Sequence, residues 1–216
     1  MKLQLITAAL AAAALLPAQA ALVTDASAIS GPLTTVDFEA FDGLLPSGPV
    51  SVAPGIVFTG DTQAELGANS RVLYDNGLWG VGNLFAAGGT SGELRFTFTD
   101  GLSSGVGAFV NHAAFDALVD LYGAAPLSVE VSAYGDNNQI IETYTFVVDT
   151  AADGYNEGQF LGISRAQADI RAIAFKGNGV VLDNLVVTSP VPEVQSLALM
   201  LAGLGALGLV RRRRQG

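Results

Sequence analysis

Two stretches of strict alternation constrain this chain more than anything else in it. Leu94, Phe96 and Phe98 alternate with Arg95, Thr97 and Thr99, and Leu127, Val129, Val131 and Ala133 alternate with Ser128, Glu130, Ser132 and Tyr134. A period of two places all the apolar members on one face of a strand, which a helix of 3.6 residues per turn cannot do. Neither strand can bury that face alone, so the rest of the chain must supply neighbours and a second layer. Further strand-like runs are Leu33 to Glu39, Ile56 to Thr59, Val106 to Asn111, Gln139 to Val148, Gln159 to Ile163, Ile170 to Phe175 and Val180 to Thr188. Turn signals separate them, among them Asp42-Gly43, Asp75-Asn76-Gly77, Asp100-Gly101, Asp153-Gly154 and Gly177-Asn178-Gly179. Gly135 to Asn138 predicts a hairpin.

About nine short strands in one unit, with no helix-period segment between them, predict an all-β body, a β-sandwich of jelly-roll type. The one helical candidate is Ser164 to Ala168, a single turn. The glycine-rich stretch from about Ala64 to Gly92 reads as less regular and carries Tyr74, Trp79 and Phe85. Loops grafted on a sandwich are where binding sits, which directs attention to that stretch.

Both ends differ in character from the body. Lys2, the apolar run Leu5 to Leu16 and the small-x-small site Ala18-Gln19-Ala20 have the layout of a secretory signal peptide over residues 1–20, cleaved after Ala20. At the other end, Pro190-Val191-Pro192-Glu193-Val194 precedes an apolar segment, Leu197 to Val210, and four arginines, Arg211, Arg212, Arg213 and Arg214. Fourteen apolar residues fall short of the roughly 20 a spanning helix uses, so this is a short transmembrane helix at best, broken by Gly203, Gly205 and Gly208. The arginines stay cytoplasmic and hold the preceding chain outside. The prolines lack the ladder donor and close the body at Ser189. The predicted organisation is therefore a signal peptide (1–20), a sandwich domain (21–189) and a C-terminal signal (190–216).

The Pro192-Glu193 pair, the short glycine-containing apolar helix and the terminal arginine cluster resemble the PEP-CTERM sorting signal of Gram-negative bacteria. The family motif continues with a second proline, and Val194 stands there instead. The resemblance implies a transient partner, the membrane enzyme exosortase, and an inner-membrane intermediate that is released or transferred to the cell surface. It also implies an association with exopolysaccharide or biofilm. A weaker resemblance covers the body. The Val36-Asp37-Phe38-Glu39 strand, the Leu127 to Tyr134 strand, the Gly158 to Ile163 segment and the Val180 to Leu185 strand together are similar to the jelly-roll bodies carried by many proteins with this tail. Those bodies in turn are similar to non-catalytic carbohydrate-binding modules.

With both signals set aside, the body holds 19 acidic and five basic side chains. Such a surface repels nucleic acid and anionic lipid, so neither is an expected partner, and the few lysines argue against capture of an acidic polysaccharide unless a divalent cation bridges the two; a polysaccharide partner is what the resemblance implies. The chain has no cysteine, which removes disulfides and thiol chemistry despite the export route.

Three sets of residues carry candidate chemistry. Asp183 and Asn184 interrupt an apolar strand, where a buried carboxylate needs a partner. Asp37 and Glu39 share one face of the first strand, with Asp42 in the following turn. If the first and last strands lie side by side, Asp37, Glu39 and Asp183 form an oxygen-rich set suited to a structural calcium ion; otherwise Asp183 caps a turn and the other two are solvated. Trp79, Tyr74 and Tyr122 can stack on sugar rings or simply fill the core. No other cofactor is expected.

Enzymatic readings find little to stand on. His112 is the only histidine, no Gly-x-Ser-x-Gly elbow is present, and one histidine without cysteine is a poor zinc set. Carboxylate pairs that could serve glycoside hydrolysis are unavoidable among so many acids. The expectation is an exported, non-catalytic surface or matrix protein; the alternatives are a carbohydrate-binding module with a defined glycan and, third, a surface glycosidase.

Overall fold

A computed structural model describes residues 20–69, 83–89, 92–112, 127–148 and 158–189. In chain order the strands are β1 (Ala20–Val23), β2 (Leu33–Val36), β3 (Val50–Ala53), β4 (Ile56–Gly60), β5 (Glu65–Ala68), β6 (Phe85–Ala87) and β7 (Glu93–Phe98). They continue with β8 (Gly105–His112), β9 (Leu127–Tyr134), β10 (Ile140–Val148), β11 (Gln159–Arg165), β12 (Ala172–Lys176) and β13 (Val180–Thr188). A single 3-10 turn, Ala26–Ala28, lies between β1 and β2. The molecule is all-β, and its strands form two antiparallel sheets packed face to face.

The first sheet runs β1-β11-β8-β13-β6-β5, with β2 also paired to β13; the second runs β10-β9-β12-β7-β4-β3. From β6 onward the chain passes back and forth between them: β6, β8, β11 and β13 belong to the first sheet, and β7, β9, β10 and β12 to the second. Alternation decides what each strand gives the core. Leu94, Phe96 and Phe98 of β7 are fully buried, as are Val129, Val131 and Ala133 of β9. They pack against Val106, Ala108 and Val110 of β8 and Leu182, Leu185 and Val187 of β13 from the facing sheet. Phe96 sits at the centre, with its ring 5.3 Å from Phe58 and 6.0 Å from Phe38.

The first sheet is buried on its outer face too. Val23 at the end of β1 and Ile29 of the segment between β1 and β2 lie over Phe160 and Val186, while Phe85, Ala87, Ala68 and Val181 form a second outer cluster. Phe109 packs against both. That double burial explains why β13 reads as a nearly continuous apolar run rather than an alternating one.

Two expectations are corrected. Ser164 and Arg165 belong to β11 and residues 166–168 form a bend, not a helical turn. Ser164 is held between Ala21 of β1 and Gly105 of β8, and two ladders outweigh a weak local helical preference. The stretch from Ala64 to Gly92 is not wholly irregular, since it contributes β5 and β6. Their alanines and glycine carry little strand preference, so only pairing with neighbours reveals them. The Gly135 to Asn138 hairpin forms as expected between β9 and β10, with Asn138 in the left-handed region at φ 60°. The Asn138 amide donates to the Gly135 carbonyl.

Among the described residues no helix is long and apolar enough to cross a membrane. The apolar segment Leu197 to Val210 lies outside them, as does the signal-peptide core.

Candidate functional site

The site grows from one irregularity in β13. On one side this strand pairs with β8; on the other it has two partners in turn, β6 at Val181 and Leu182 and β2 from Leu185 to Thr188. Asp183 and Asn184 fall in the gap between those partners. The ladder with β8 slips at the same place, stepping from Asp183↔Phe109 to Val186↔Gly107, so β13 holds one extra residue there. Asn184 absorbs the bulge at φ 49°, a conformation asparagine tolerates better than most residues.

Asp183 follows Val181 by two positions and so lies on the outer face of the sheet, only 5% exposed. Its Oδ1 accepts the Asn184 backbone N–H at 2.7 Å, and its Oδ2 accepts the side-chain amides of Asn83 and Asn184, each at 3.2 Å. The exit of β2 turns sharply at Phe38, whose φ of 58° is unusual for a bulky residue. Burial of its ring against Phe96 offsets that strain. The turn presents Asp37 and Glu39 toward the gap: the Glu39 amide donates to Asp37 Oδ1 at 3.3 Å, and Glu39 Oε1 accepts the Leu84 amide at 3.0 Å. Glu39 therefore ties the end of β2 to the approach of β6.

The electrostatics follow from this placement. Burial pushes the Asp183 carboxyl up to about 6; the amides of Asn184 and Asn83 oppose the rise, and the nearby charges of Glu39 and Asp37 add to it. Pairing of β2 with β13 thus brings Asp37 and Glu39 within electrostatic range of Asp183. It does not draw them onto one point: among the described residues no three His, Asp or Glu side chains come close enough together to hold a metal by themselves. Asp42 is exposed in the following bend. What the arrangement offers is a shielded acceptor with two further carboxylates at electrostatic range.

His112 ends β8 opposite Val180, beside Asn111. Ala20 opens β1, opposite Arg165. Trp79, Tyr74 and Tyr122 lie outside the described residues, as do Ala18, Pro192, Glu193 and Arg211 to Arg214. Asn83 and the Leu84 amide escaped the sequence reading, because nothing in a glycine-rich stretch marks a residue that meets Asp183 a hundred positions later.

No protein-family model matches the chain, and no curated protein matches it. Among solved structures it is similar to a DUF4465 family protein from Bacteroides caccae, with a TM-score of 0.43 and 8% identity over 78% of this chain and 98% of that one. It is also similar to the K3 adhesin domain of Lys-gingipain from Porphyromonas gingivalis, with a TM-score of 0.35 and 13% identity over 72% of this chain and 98% of that one. Likeness at this distance assigns no function.

Proposed function

We propose that the chain is an exported, non-catalytic protein of the cell surface or extracellular matrix, sorted by an exosortase-type system and associated with exopolysaccharide. One observation carries the reading. Among the described residues the first strand opens at Ala20, where the signal-peptide pattern ends, and the last closes at Thr188, two residues before Pro190 opens the tail. The strands of the described residues therefore lie between the two signals, apart from Ala20, the terminal residue of β1. The order in which β6 to β13 alternate between the sheets supports the jelly-roll form of the sandwich.

Fractionation with mass spectrometry of the mature C-terminus, in cells with and without an exosortase, tests the sorting step. The expected result is a surface form lacking Arg211 to Arg214 only when the enzyme is present. An intact tail in the inner membrane under both conditions overturns it. In the competing glycosidase reading, a polysaccharide would be turned over and that turnover lost on changing one carboxylate.

The same reading includes a structural calcium ion at the gap in β13. Asp183 and Glu39 are hard oxygen donors of the kind calcium takes, backbone carbonyls or waters would have to complete the shell, and a cation there would relieve the mutual repulsion of the three acids. Thermal melts with chelator and with added calcium check it. An unchanged midpoint removes the ion from the account.

A further inference from the structure

A concavity lies at the edge of the sandwich, where the outer face of the first sheet at Phe109 and Phe160 meets β10 of the other sheet. Its volume is about 590 Å³. The floor is aromatic: Phe109 of β8 and Phe160 of β11 meet edge to face, with centroids 5.3 Å apart and planes at 74°. Phe146, from β10 of the other sheet, also lines it and is only partly buried. The rim is polar and exposed, formed by Thr24, Asp25 and Gln159.

We infer that this cleft binds a neutral glycan. A hexose ring has an apolar C–H face and an edge of hydroxyls, and the cleft has the complementary halves: the partly exposed rings of Phe109 and Phe146 below, backed by the buried Phe160, and a hydroxyl, a carboxylate and an amide above. The carboxylate is pre-positioned, since Asp25 Oδ1 accepts the Ser27 amide at 2.8 Å and caps the short turn that follows. That bond holds the Asp25 carboxyl below its usual range and leaves it charged, an acceptor for sugar hydroxyls. None of the nine lining residues is Lys, Arg or His, and the body carries a large excess of acids, so anionic sugars are disfavoured. The volume falls within the range of small-ligand sites and suits one or two sugar units of a longer chain, which the open rim would let pass. The inference deepens the surface-protein reading by naming a ligand class and a place for it, and rests on that reading for its setting only.

Affinity electrophoresis of the full chain through gels containing dextran, mannan, xylan or hydroxyethyl cellulose tests the cleft, with alginate and chitosan as the anionic and cationic comparisons. At least one neutral polymer is expected to retard the protein. Gln159→Ala, on an exposed side chain, should weaken that retardation about tenfold without moving the melting temperature, and Phe146→Ala should weaken it at least as much while lowering the melting temperature, since its ring also packs against the core. Trp79→Ala should leave it unchanged. No retardation by any neutral polymer, retardation by alginate or chitosan alone, or undiminished retardation in both cleft variants overturns the proposal. A chain that reaches the surface yet fails these gels removes the cleft and leaves the surface reading standing; one that binds but stays in the inner membrane does the reverse.

Discussion

Asp183 on β13 and Phe109 on β8 are register partners, and theirs is the last regular pair before the ladder slips. A carboxylate thus shares an otherwise apolar sheet face with an aromatic ring that belongs to both outer clusters. Its protonation should be felt in stability. The group titrates near 3.8 when unfolded and near 6 in the native state, so the native state holds the proton more tightly. The resulting stabilisation is complete below about pH 3.8 and is lost as pH rises through 6. Asp183→Asn keeps an acceptor for the Asn184 amide and cannot ionise. In calcium-free urea melts its stability relative to the parent should rise by about 2 kcal/mol between pH 4 and pH 7. A difference that stays flat across that range would sink the assignment.

The bulge makes its own prediction. Asn184 occupies the left-handed region at φ 49°, where glycine is unstrained and alanine is not. Asn184→Ala should cost about 1 kcal/mol or more, since it also removes the amide bonded to Asp183, while Asn184→Gly should cost less than Asn184→Ala. Equal losses in denaturant melts would mean that the side-chain bond, not the backbone, sets the requirement.

Gly107 lies under Phe160. A Cβ at this position would stand 2.7 Å from two carbons of that ring and 2.9 Å from the Leu161 carbonyl oxygen. Gly107→Ala should therefore destabilise by about 1–3 kcal/mol through overpacking. Combining it with Phe160→Leu, which withdraws the ring, should recover part of the loss; strict additivity of the two changes would show that the ring is not the obstacle.

Arg171 clamps three segments together. Its Nη1 donates to the carbonyls of Phe98 and Gly101, at 2.9 and 3.0 Å, while Nε and Nη2 both reach Asp136 Oδ1 in the β9–β10 hairpin. Lysine cannot reproduce this fork. Arg171→Lys should lose about 1–3 kcal/mol, close to the loss in Arg171→Ala, whereas Asp136→Asn on the exposed side should cost under about 1 kcal/mol. Thermal or chemical melts of the three variants decide it.

The reading of the sheets from sequence went furthest where one face is buried and the other wet. β7 and β9 alternate because only their inner faces meet the core, and such a period survives in the sequence unaided. β13 was legible for the opposite reason, as a long apolar run broken only at Asp183 and Asn184. β5 and β6 were not, since Glu65–Ala68 and Phe85–Ala87 are short and built largely of small residues that become strands only through each other and β13. The neighbourhood of Asp37, Glu39 and Asp183 could be guessed at, but its content could not. The Glu39 bond to the Leu84 amide and the Asn83 bond to Asp183 join segments 45 and 100 residues apart.

By itself, then, the sequence determined the strand periodicity, the turns, the acid excess, the absence of cysteine and the two terminal patterns, because each is written in residues adjacent along the chain. Only the tertiary structure decided that β2 and β6 share one edge of β13, that Asn184 turns left-handed to let them do so, and that Phe109, Phe146 and Phe160 line one cleft with Asp25. Those facts arise from strand order and register, which are set by how two sheets bury their common faces, and no local pattern encodes which strand lies beside which.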